Sequence, residues 1–373
     1  MSNLVRLGLI GLGGMGRFHA ANLLAGKISR LELTAVADTD PTRGAAYPQL
    51  RSFPSLEAMA DSGTIDAVLI ATPHFQHTPL ALAAIRAGLH VMIEKPIAVQ
   101  KAEAERLLAE PLRPGQIVAA MFNQRTDNSY RQIRSLIQAG ELGEVRRVNW
   151  IITDWFRTQH YYRQGGWRAT WAGEGGGILL NQCPHNLDLL HWLVGMPRSV
   201  RAFCGFGRYH PIEVEDDVTA YLEFPNGATG VFIASTGEAP GTNRLELTGE
   251  RGRLVYEGGR IGLIRNEQPM SEYSRTAADA FSSPPRQERS FPPQDRGGQH
   301  VAMLENFAAA ILDGAPLIAP AAEGAHSLEL ANAMLLSAWT GQTVELPLDG
   351  KLYADWLDRK IATAAPVKAP QPA

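Results

Sequence analysis

Two residues have side chains that could take part in catalysis and stand within distinctive sequence motifs, a lysine at position 95 and a histidine at position 185. Lys95 follows an apolar run over 91–93 that predicts a short β-strand. Because the carboxyl ends of parallel strands open onto the ligand crevice, its ammonium is expected to point there; a solvated surface lysine is the competing interpretation. His185 has an ordinary pKa of about 6.5, which suits proton transfer near neutral pH, although a packed structural histidine would look the same in sequence.

Asn181 lies four residues before His185, in a segment that opens with three glycines, 175–177. On a continuous helix these two side chains would share one face. Pro184 complicates this prediction, because proline fits best at a helix start and would otherwise kink the helix. An amide at position 181 can hydrogen-bond a hydroxyl group or orient Lys95, but it cannot take up a proton.

A glycine-rich motif near the N-terminus predicts a dinucleotide site. Gly11-Leu12-Gly13-Gly14-Met15-Gly16 follows the strand candidate Val5–Ile10 and opens an apolar helix. The first glycine permits a tight turn, the second lets the backbone approach a pyrophosphate, and the last allows close helix–strand packing. Asp38, at the end of the second strand candidate, can accept both hydrogens of a ribose diol and would repel a 2′-phosphate. The motif therefore predicts NAD(H) over NADP(H), although a βα turn without a ligand would carry similar glycines.

The elements that must position these residues divide the chain in two. Up to Arg125, short β-branched runs alternate with helical patterns, which predicts a doubly wound parallel sheet. Beyond it, hairpin turns such as Asn226-Gly227 predict an α+β domain with a largely antiparallel sheet. We expect a Rossmann domain over 1–125, a substrate-binding and oligomerisation domain over 126–350, and a C-terminal extension over 351–373 with a disordered tail. The polar, proline-containing segment 265–298 is interpreted as a loop or arm.

Composition limits the function classes. The 373 residues carry a net charge of −3, are 45% hydrophobic and 20% charged, and include two cysteines. This balance excludes disorder for the bulk of the chain, and the missing basic face argues against nucleic acid as a partner. No apolar stretch approaches the length of a membrane span, and the first residues run into a strand rather than a signal peptide. We expect a cytoplasmic protein, with cysteines kept reduced.

Taken in order, these motifs resemble the Gfo/Idh/MocA oxidoreductase family, the group of glucose–fructose oxidoreductase and inositol dehydrogenase. The resemblance rests on the glycine motif, Ile70-Ala71-Thr72-Pro73 leading to His77, Glu94-Lys95-Pro96, and His185 after the three glycines. It implies that Lys95 lies beside the nicotinamide and the reacting carbon, that His77 lies near the cofactor ribose, and that an open sheet face forms oligomers. Relatives typically carry an acid four residues before the histidine, where this chain has Asn181. The departure leaves the substrate more uncertain than the reaction type.

The expected site follows from motif and resemblance together. The expected catalytic residues are Lys95, His185 and Asn181. The expected cofactor-binding residues are Gly11, Leu12, Gly13, Gly14, Met15, Gly16, Asp38, Thr72, Pro73, His77, Glu94, Lys95, Asn123, Arg125, Trp167 and Arg168. The expected substrate contacts are Lys95, Arg125, Arg157, Tyr161, Asn181, His185 and His300, the last of which could equally be a surface histidine. No metal is expected: Asp188 and His191 extend a metal-like spacing from His185, but the three positions do not converge on one helix.

The predicted activity is NAD(H)-dependent oxidation of a secondary alcohol on a sugar, sugar derivative or cyclitol. His185 abstracts the hydroxyl proton, Lys95 holds the oxygen, and the hydride passes to the cofactor. Two alternatives remain open, a glycosidase that oxidises its substrate transiently with retained NAD, and a non-catalytic ligand sensor. A homo-oligomer, dimer or tetramer, is expected because a broad antiparallel sheet needs one face covered.

Overall fold

The computed structural model describes residues 4–164 and 166–364 and contains two sheets. The first sheet has six parallel strands in the order β3-β2-β1-β4-β5-β6. Its elements, in chain order, are β1 Val5–Ile10, α1 Gly14–Leu24, β2 Leu31–Ala37, α2 Pro41–Ala45, β3 Arg51–Phe53, α3 Leu56–Asp61, β4 Ala67–Ile70, α4 His77–Ala87, β5 His90–Ile93, α5 Lys101–Leu108 and β6 Val118–Ala120. The predicted Rossmann fold, a doubly wound parallel sheet, is confirmed. Two short elements, α2 and β3, carry too few apolar residues to show in the pattern.

The second sheet has nine strands in the order β14-β13-β12-β11-β7-β10-β9-β8-β15. All neighbours run antiparallel except β7 and β10, which are parallel. Its elements are α6 Asn128–Gln138, β7 Val145–Ile152, α7 Gln159–Arg163, α8 Trp171–Glu174, α9 Pro184–Val194, β8 Ser199–Phe206, β9 Glu215–Glu223, β10 Thr229–Ser235, β11 Asn243–Gly249, β12 Gly252–Glu257, β13 Arg260–Asn266, α10 Met270–Thr276, β14 Arg286–Phe291, α11 Gln299–Asp313, α12 Ala321–Thr340, β15 Val344–Glu345 and α13 Gly350–Thr363. The predicted α+β architecture is confirmed.

Burial explains why these segments adopt these elements. Five of the six β1 residues are buried, as expected for a parallel strand covered on both faces. Helix α6 instead buries one stripe, Tyr130, Ile133 and Leu136, at helical spacing. The Asp127 side chain accepts from the amide of Ser129 at its start, and Gly140 follows its end with a φ of 73°. Such caps satisfy the free backbone groups of helix ends.

The segment 265–298 corrects an expectation, because it is not simply a loop. It contains α10, and β14 pairs with β13 as the outer strand of the second sheet. After β14 the chain returns to the junction of the two domains: Asn128 of α6 donates to Asp295 at 2.7 Å, and Asn123, just after β6, donates to Gln299 at 2.6 Å. This return brings His300 towards the first sheet.

The chain beyond residue 298 joins the two sheets. Helix α12 packs on α9 and β8, and also on α5 and β6. Lys101, the first residue of α5, donates to Glu329 of α12 at 2.8 Å and to the carbonyl of Leu348 at 2.6 Å. The predicted extension over 351–373 begins within the packed helix α13, in which Tyr353 and Leu357 are buried. The disordered tail predicted over 362–373 is wrong at its first two residues, which belong to α13, and residues 365–373 lie outside the described part of the chain.

Candidate functional site

The glycine motif forms a tight turn between β1 and α1 that residues with a side chain could not adopt at two of its positions. Gly11 has a φ of 87°, and a Cβ there would lie 2.6 Å from the carbonyl oxygen of Ala71. At Gly16 an added Cβ would lie 1.8 Å from the carbonyl oxygen of Gly11. At Gly13 and Gly14, by contrast, it would meet nothing within 4 Å. The packing side of the turn is therefore tight and its outer side open, which fits a pyrophosphate held by amides at a helix start.

Asp38 is tied to this turn rather than free in solution. Its carboxylate accepts from the amide of Leu12 at 2.7 Å and from that of Asp40 at 2.9 Å, and the guanidinium of Arg43 is 3.4 Å away. A carboxylate has about four acceptor positions, so two bonds leave capacity for a ribose diol. The exposed Met15 flanks the turn on its outer side.

The loops that follow β4 and β6 carry further polar groups. The hydroxyl of Thr72, just before Pro73, and Oδ1 of Asn123 are both buried and have no hydrogen-bond partner within the described ranges. Buried polar groups of this kind ordinarily have a partner, so both suit contact with a polar ligand. His77 is different: its two ring nitrogens lie 2.7 Å from the carbonyl oxygen of Pro96 and 2.9 Å from that of Thr72. Its ring ties the loop after β4 to the loop after β5 and offers no nitrogen to a ribose.

Lys95 extends from the end of β5 to the segment before α9. Its ammonium donates to the backbone carbonyl of Asn181 at 2.8 Å. Burial lowers the pKa of Lys95, while the nearby carboxylates of Glu94 and Glu174 act in the opposite direction. The ammonium is thus held in place by a backbone oxygen, inside a mostly enclosed site.

Glu94 sits beneath Lys95 in a buried pair that the sequence did not reveal. Its carboxylate lies 2.7 Å from Nε2 of His19, a residue of α1 that is fully buried. Burial alone would raise the pKa of Glu94, but the hydrogen bond with His19 and the neighbouring charges lower it to about 2. His300 completes the cluster, with its ring 5.5 Å from that of His19 and 5.1 Å from that of Phe18. Glu94 therefore connects the end of β5, where Lys95 lies, to α1 through His19.

His185 is the second residue of α9, and Pro184 occupies the first helical position. Asn181 consequently lies in the turn before the helix, and the expectation that the two share one helical face is wrong. Burial, followed by the charge of Lys95, lowers the pKa of His185 to about 3. The imidazole is therefore neutral at neutral pH, and its Nδ1 has no partner among residues 4–164 and 166–364.

Glu174 is a functional candidate that sequence reasoning missed. It ends the four-residue helix α8, its side chain is only 2% exposed, and its Oε2 accepts from the amide of Ala169 at 2.7 Å. Its Oε1 accepts a short hydrogen bond from the side-chain amide of Asn181. Burial raises the pKa of Glu174. The site thus contains a carboxylate directly behind Asn181.

Cationic and aromatic side chains form the outer wall of the site. The hydroxyl of Tyr161 accepts from Arg168 at 3.0 Å and lies 3.3 Å from the side-chain nitrogen of Asn181. Arg157 and Arg168 lie 5.2 Å and 5.1 Å from the centre of the Tyr161 ring. Trp167 packs its ring edge-on against that of His74. Stacked guanidinium groups and aromatic faces are suited to a polyhydroxylated ligand.

Arg125 occupies a different place from the one expected. Its guanidinium is buried, donates to both oxygens of Asp188 at 2.8 and 2.6 Å, and also contacts Glu323. It therefore joins the short turn Asn123–Thr126 after β6 to α9 and α12, and it is not exposed to a cofactor or substrate. His191 stacks on the ring of His326 at 4.2 Å. Asp188 and His191 thus point away from His185, and the described part of the chain contains no cluster of three or more metal-ligating side chains.

Comparison with known proteins agrees with this arrangement. Residues 5–122 match an oxidoreductase family with an NAD-binding Rossmann fold, and residues 130–255 match the Gfo/Idh/MocA C-terminal domain. An uncharacterised oxidoreductase of Escherichia coli, YdgJ, is 34% identical over 263 residues, which cover 69% of this chain and 72% of the relative. The chain belongs to the Gfo/Idh/MocA oxidoreductase family. The predicted family membership and the predicted NAD-type cofactor are confirmed.

Two further known proteins are similar to this chain over most of its length. The scyllo-inositol 2-dehydrogenase (NAD⁺) of Bacillus subtilis is 28% identical over 281 residues, covering 72% of this chain and 76% of the relative. The WlbA dehydrogenase of Bordetella pertussis, solved with NADH and UDP-GlcNAcA, superposes with a TM-score of 0.78 at 28% identity over 93% of this chain and 100% of that one. Within the described ranges, no helix is long and apolar enough to cross a membrane.

Proposed function

We propose that this protein transfers a hydride between a secondary alcohol of a sugar, sugar derivative or cyclitol and NAD(H). The observation that carries the proposal is the pairing of a fixed ammonium, Lys95 on the Asn181 carbonyl at 2.8 Å, with a neutral imidazole, His185, whose pKa burial lowers to about 3. The names of two relatives, a scyllo-inositol dehydrogenase and a dehydrogenase solved with a nucleotide sugar, support the substrate class.

The residues around the glycine turn suit the cofactor. The open side of Gly13 and Gly14 would admit the pyrophosphate to the amides of the turn. Asp38 would accept from the adenosine ribose. The hydroxyl of Thr72 and the amide oxygen of Asn123, which have no partner among the described residues, would contact the nicotinamide half. When bound, the nicotinamide supplies the hydride acceptor.

His185 and Lys95 divide the proton chemistry. For alcohol oxidation, the neutral imidazole of His185 accepts the hydroxyl proton while the carbon releases its hydrogen as a hydride, so that the alcohol becomes a ketone. The ammonium of Lys95 donates to the same oxygen and stabilises the negative charge that develops on it. In the reverse direction His185 returns the proton.

The outer wall would orient the remaining hydroxyl groups. Arg157, Tyr161 and Arg168 lie together, and each can donate a hydrogen bond to a sugar oxygen. Asn181 adds an amide where related enzymes carry an acid, which favours a substrate with a different hydroxyl pattern from that of plain inositol.

The test is NADH formation from NAD⁺ by the purified protein with a panel of aldoses, anhydrosugars, nucleotide sugars, glycosides and inositols. Saturable turnover on one member supports the proposal. Silence across the panel, with NAD carried through purification, would instead favour a glycosidase that recycles its own cofactor, and silence with ligand binding would favour a sensor.

We further propose a cytoplasmic homo-oligomer. Both cysteines, Cys183 and Cys204, are free thiols, which suits a reducing compartment. One face of the second sheet exposes large apolar side chains, including Phe203 at 64% and Tyr221 at 43% exposure, and such a face is typical of a subunit contact.

A further inference from the structure

The carboxylate of Glu174 is placed where it can act on the site through two neighbours. Both of its oxygens face N–H donors, the backbone amide of Ala169 and the side-chain amide of Asn181. Only an ionised carboxylate accepts at both oxygens without placing its own proton against a donor. The charge of Arg168, whose Nη1 lies 4.0 Å from Oε1, favours the same form.

This contact determines which atom Asn181 offers to a ligand. A carboxylate accepts and cannot donate, so the atom of Asn181 that faces Glu174 must be Nδ2. The hydroxyl of Tyr161, 3.3 Å from Nδ2, lies on the same side. Oδ1 is then directed elsewhere, and in the part of the chain described by the structure no donor reaches it. Asn181 therefore presents an acceptor oxygen, as one oxygen of an aspartate would.

The negative charge that an aspartate at position 181 would bring is supplied instead by Glu174, which contacts the side chain of Asn181. Lys95 donates to the carbonyl of Asn181, so Glu174 and Lys95 contact the same residue from two sides. The charged and titratable groups that act on or respond to Lys95 are Glu94, Glu174, Arg157, Arg168, His74, His77, His185, His300 and Cys183. Among them only the two carboxylates favour the protonated amine.

We propose that Glu174 is a positioning residue of this site, which fixes the amide of Asn181 and keeps Lys95 protonated. The role in orienting a substrate rests on the proposed function, whereas the effect on Lys95 does not depend on turnover. Within this pair Glu174 supplies the negative charge and Asn181 supplies the acceptor oxygen.

The direct test compares the full-length wild type with Glu174→Gln, which keeps the shape and removes the charge. The rate at which an acylating reagent modifies Lys95 is followed against pH by peptide mass spectrometry. Because an opposite charge is lost, the midpoint should move to lower pH by about one unit. Glu213→Gln is the matched control, since Glu213 accepts from the amide of Trp171 at the start of the same helix without contacting Asn181; its midpoint should stay unchanged. Equal midpoints in all three proteins would overturn the proposal.

Two further variants separate charge from structural damage. The exchange Glu174→Gln with Asn181→Asp returns a carboxylate to the site and should restore the midpoint towards that of the wild type. Glu174→Asp keeps the charge and should shift it less than Glu174→Gln; a shift of equal size would mean that packing alone is responsible. If a substrate is found, the alkaline limb of kcat/KM should move with the Lys95 midpoint. Turnover with an unmoved midpoint would remove the role of Glu174 alone, whereas a moved midpoint without turnover on any substrate would remove the dehydrogenase function alone.

Discussion

Lys95 and His185 differ in the protonation state that each needs for alcohol oxidation. The lysine must be protonated to hold the oxygen, and burial lowers its pKa from the usual value. The histidine must be neutral to accept the proton, and its pKa is lowered to about 3. The imidazole of His185 is therefore neutral at neutral pH, and the carboxylates of Glu94 and Glu174 favour the protonated form of Lys95.

The pH profile of kcat/KM should reflect these two shifts. An ordinary histidine base would cause activity to fall as the pH drops through about 6.5. Because the pKa of His185 is lowered, kcat/KM for oxidation should stay level down to about pH 5 and be lost only as the pH approaches 3. On the alkaline side, kcat/KM should begin to fall at a lower pH than an ordinary lysine would give, because the pKa of Lys95 is lowered. Steady-state rates across this range test both limbs, and an acidic limb near 6.5 in the wild type would contradict the assignment.

Replacing His185 tests the base itself. His185→Ala should lower kcat by about 10²–10⁴-fold, the usual contribution of a positioned acid–base group, with little change in the Kd for NADH. His326→Ala is the matched control, because that histidine stacks on His191 and has no part in the reaction. Full activity in His185→Ala would remove it from the mechanism.

Asp38 should determine cofactor preference. Its carboxylate is fixed by the amides of Leu12 and Asp40, next to Arg43. Asp38→Ala removes the negative charge and leaves Arg43 free to meet a 2′-phosphate, so the preference for NAD⁺ over NADP⁺ should fall by about tenfold or more. The KM values for the two cofactors measure this. Asp61→Ala, at the end of α3, should leave the ratio unchanged, and a wild type that prefers NADP⁺ would contradict this prediction.

In the turn between β1 and α1, one glycine is expected to affect cofactor binding alone, whereas another affects stability as well. Gly13→Ala adds a methyl group where nothing lies within 4 Å, so the Tm should hardly change while the Kd for NADH rises about tenfold or more. Gly16→Ala places a methyl group 1.8 Å from the carbonyl oxygen of Gly11 and should lower the Tm as well. Gly262→Ala, on β13 with its nearest atom 4.0 Å away, is the neutral control. An unchanged Kd in Gly13→Ala would place the pyrophosphate elsewhere.

Strong periodic elements could be predicted from sequence, whereas edge and short elements could not. Strand β4 is a continuous buried apolar run, and β5 has three apolar residues in a row after His90; such runs are the clearest signal of a parallel sheet. Strand β14 is an edge strand whose residues are almost all exposed, so the segment 265–298 showed no apolar pattern. Pro184 did carry the correct signal for a helix start.

The site features that could not be predicted from sequence depend on contacts between residues that are far apart in the chain. Glu174 lies in a four-residue helix, and nothing in its neighbourhood indicates that its side chain is buried against Asn181. Arg125 pairs with Asp188 across 63 residues, and either partner alone resembles an exposed crevice residue. Motif and resemblance locate such residues along the chain but not the direction in which their side chains point.

At the scale of the whole molecule, a buried ion pair holds the two sheets together. Lys101 and Glu329 each have a side chain only 11% exposed, and Glu329 also accepts from the amide of Leu348 at 2.7 Å. Lys101→Met leaves the carboxylate buried without its partner and should lower the free energy of unfolding by about 3–5 kcal/mol. Chemical denaturation measures this, and Lys101→Met with Glu329→Met should recover much of the loss. Lys351→Met, at an exposed pair with Asp355, should have little effect; equal losses for both lysines would contradict the role of Lys101.

The open face of the second sheet should set the oligomeric state. Phe203, Tyr221, Val231 and Ile233 lie on the face opposite the buried residues of β8, β9 and β10, with Tyr221 paired to Val231 across the strands. Phe203→Glu places a charge on this face and should dissociate the wild-type dimer or tetramer, as read by light scattering during gel filtration. Leu352→Glu, at an exposed apolar residue of α13, adds the same charge away from this face and is the control. A monomeric wild type would contradict the proposal.

The most direct test of the central claim is NADH formation by the wild type and by Lys95→Ala, measured side by side on the best substrate of the panel. We expect saturable turnover by the wild type and a loss of at least about a hundredfold in the variant. Lys27→Ala, a lysine held by Asn22 at the end of α1, should behave as the wild type. Equal turnover by Lys95→Ala and the wild type would contradict the claim that this ammonium acts on the reacting oxygen.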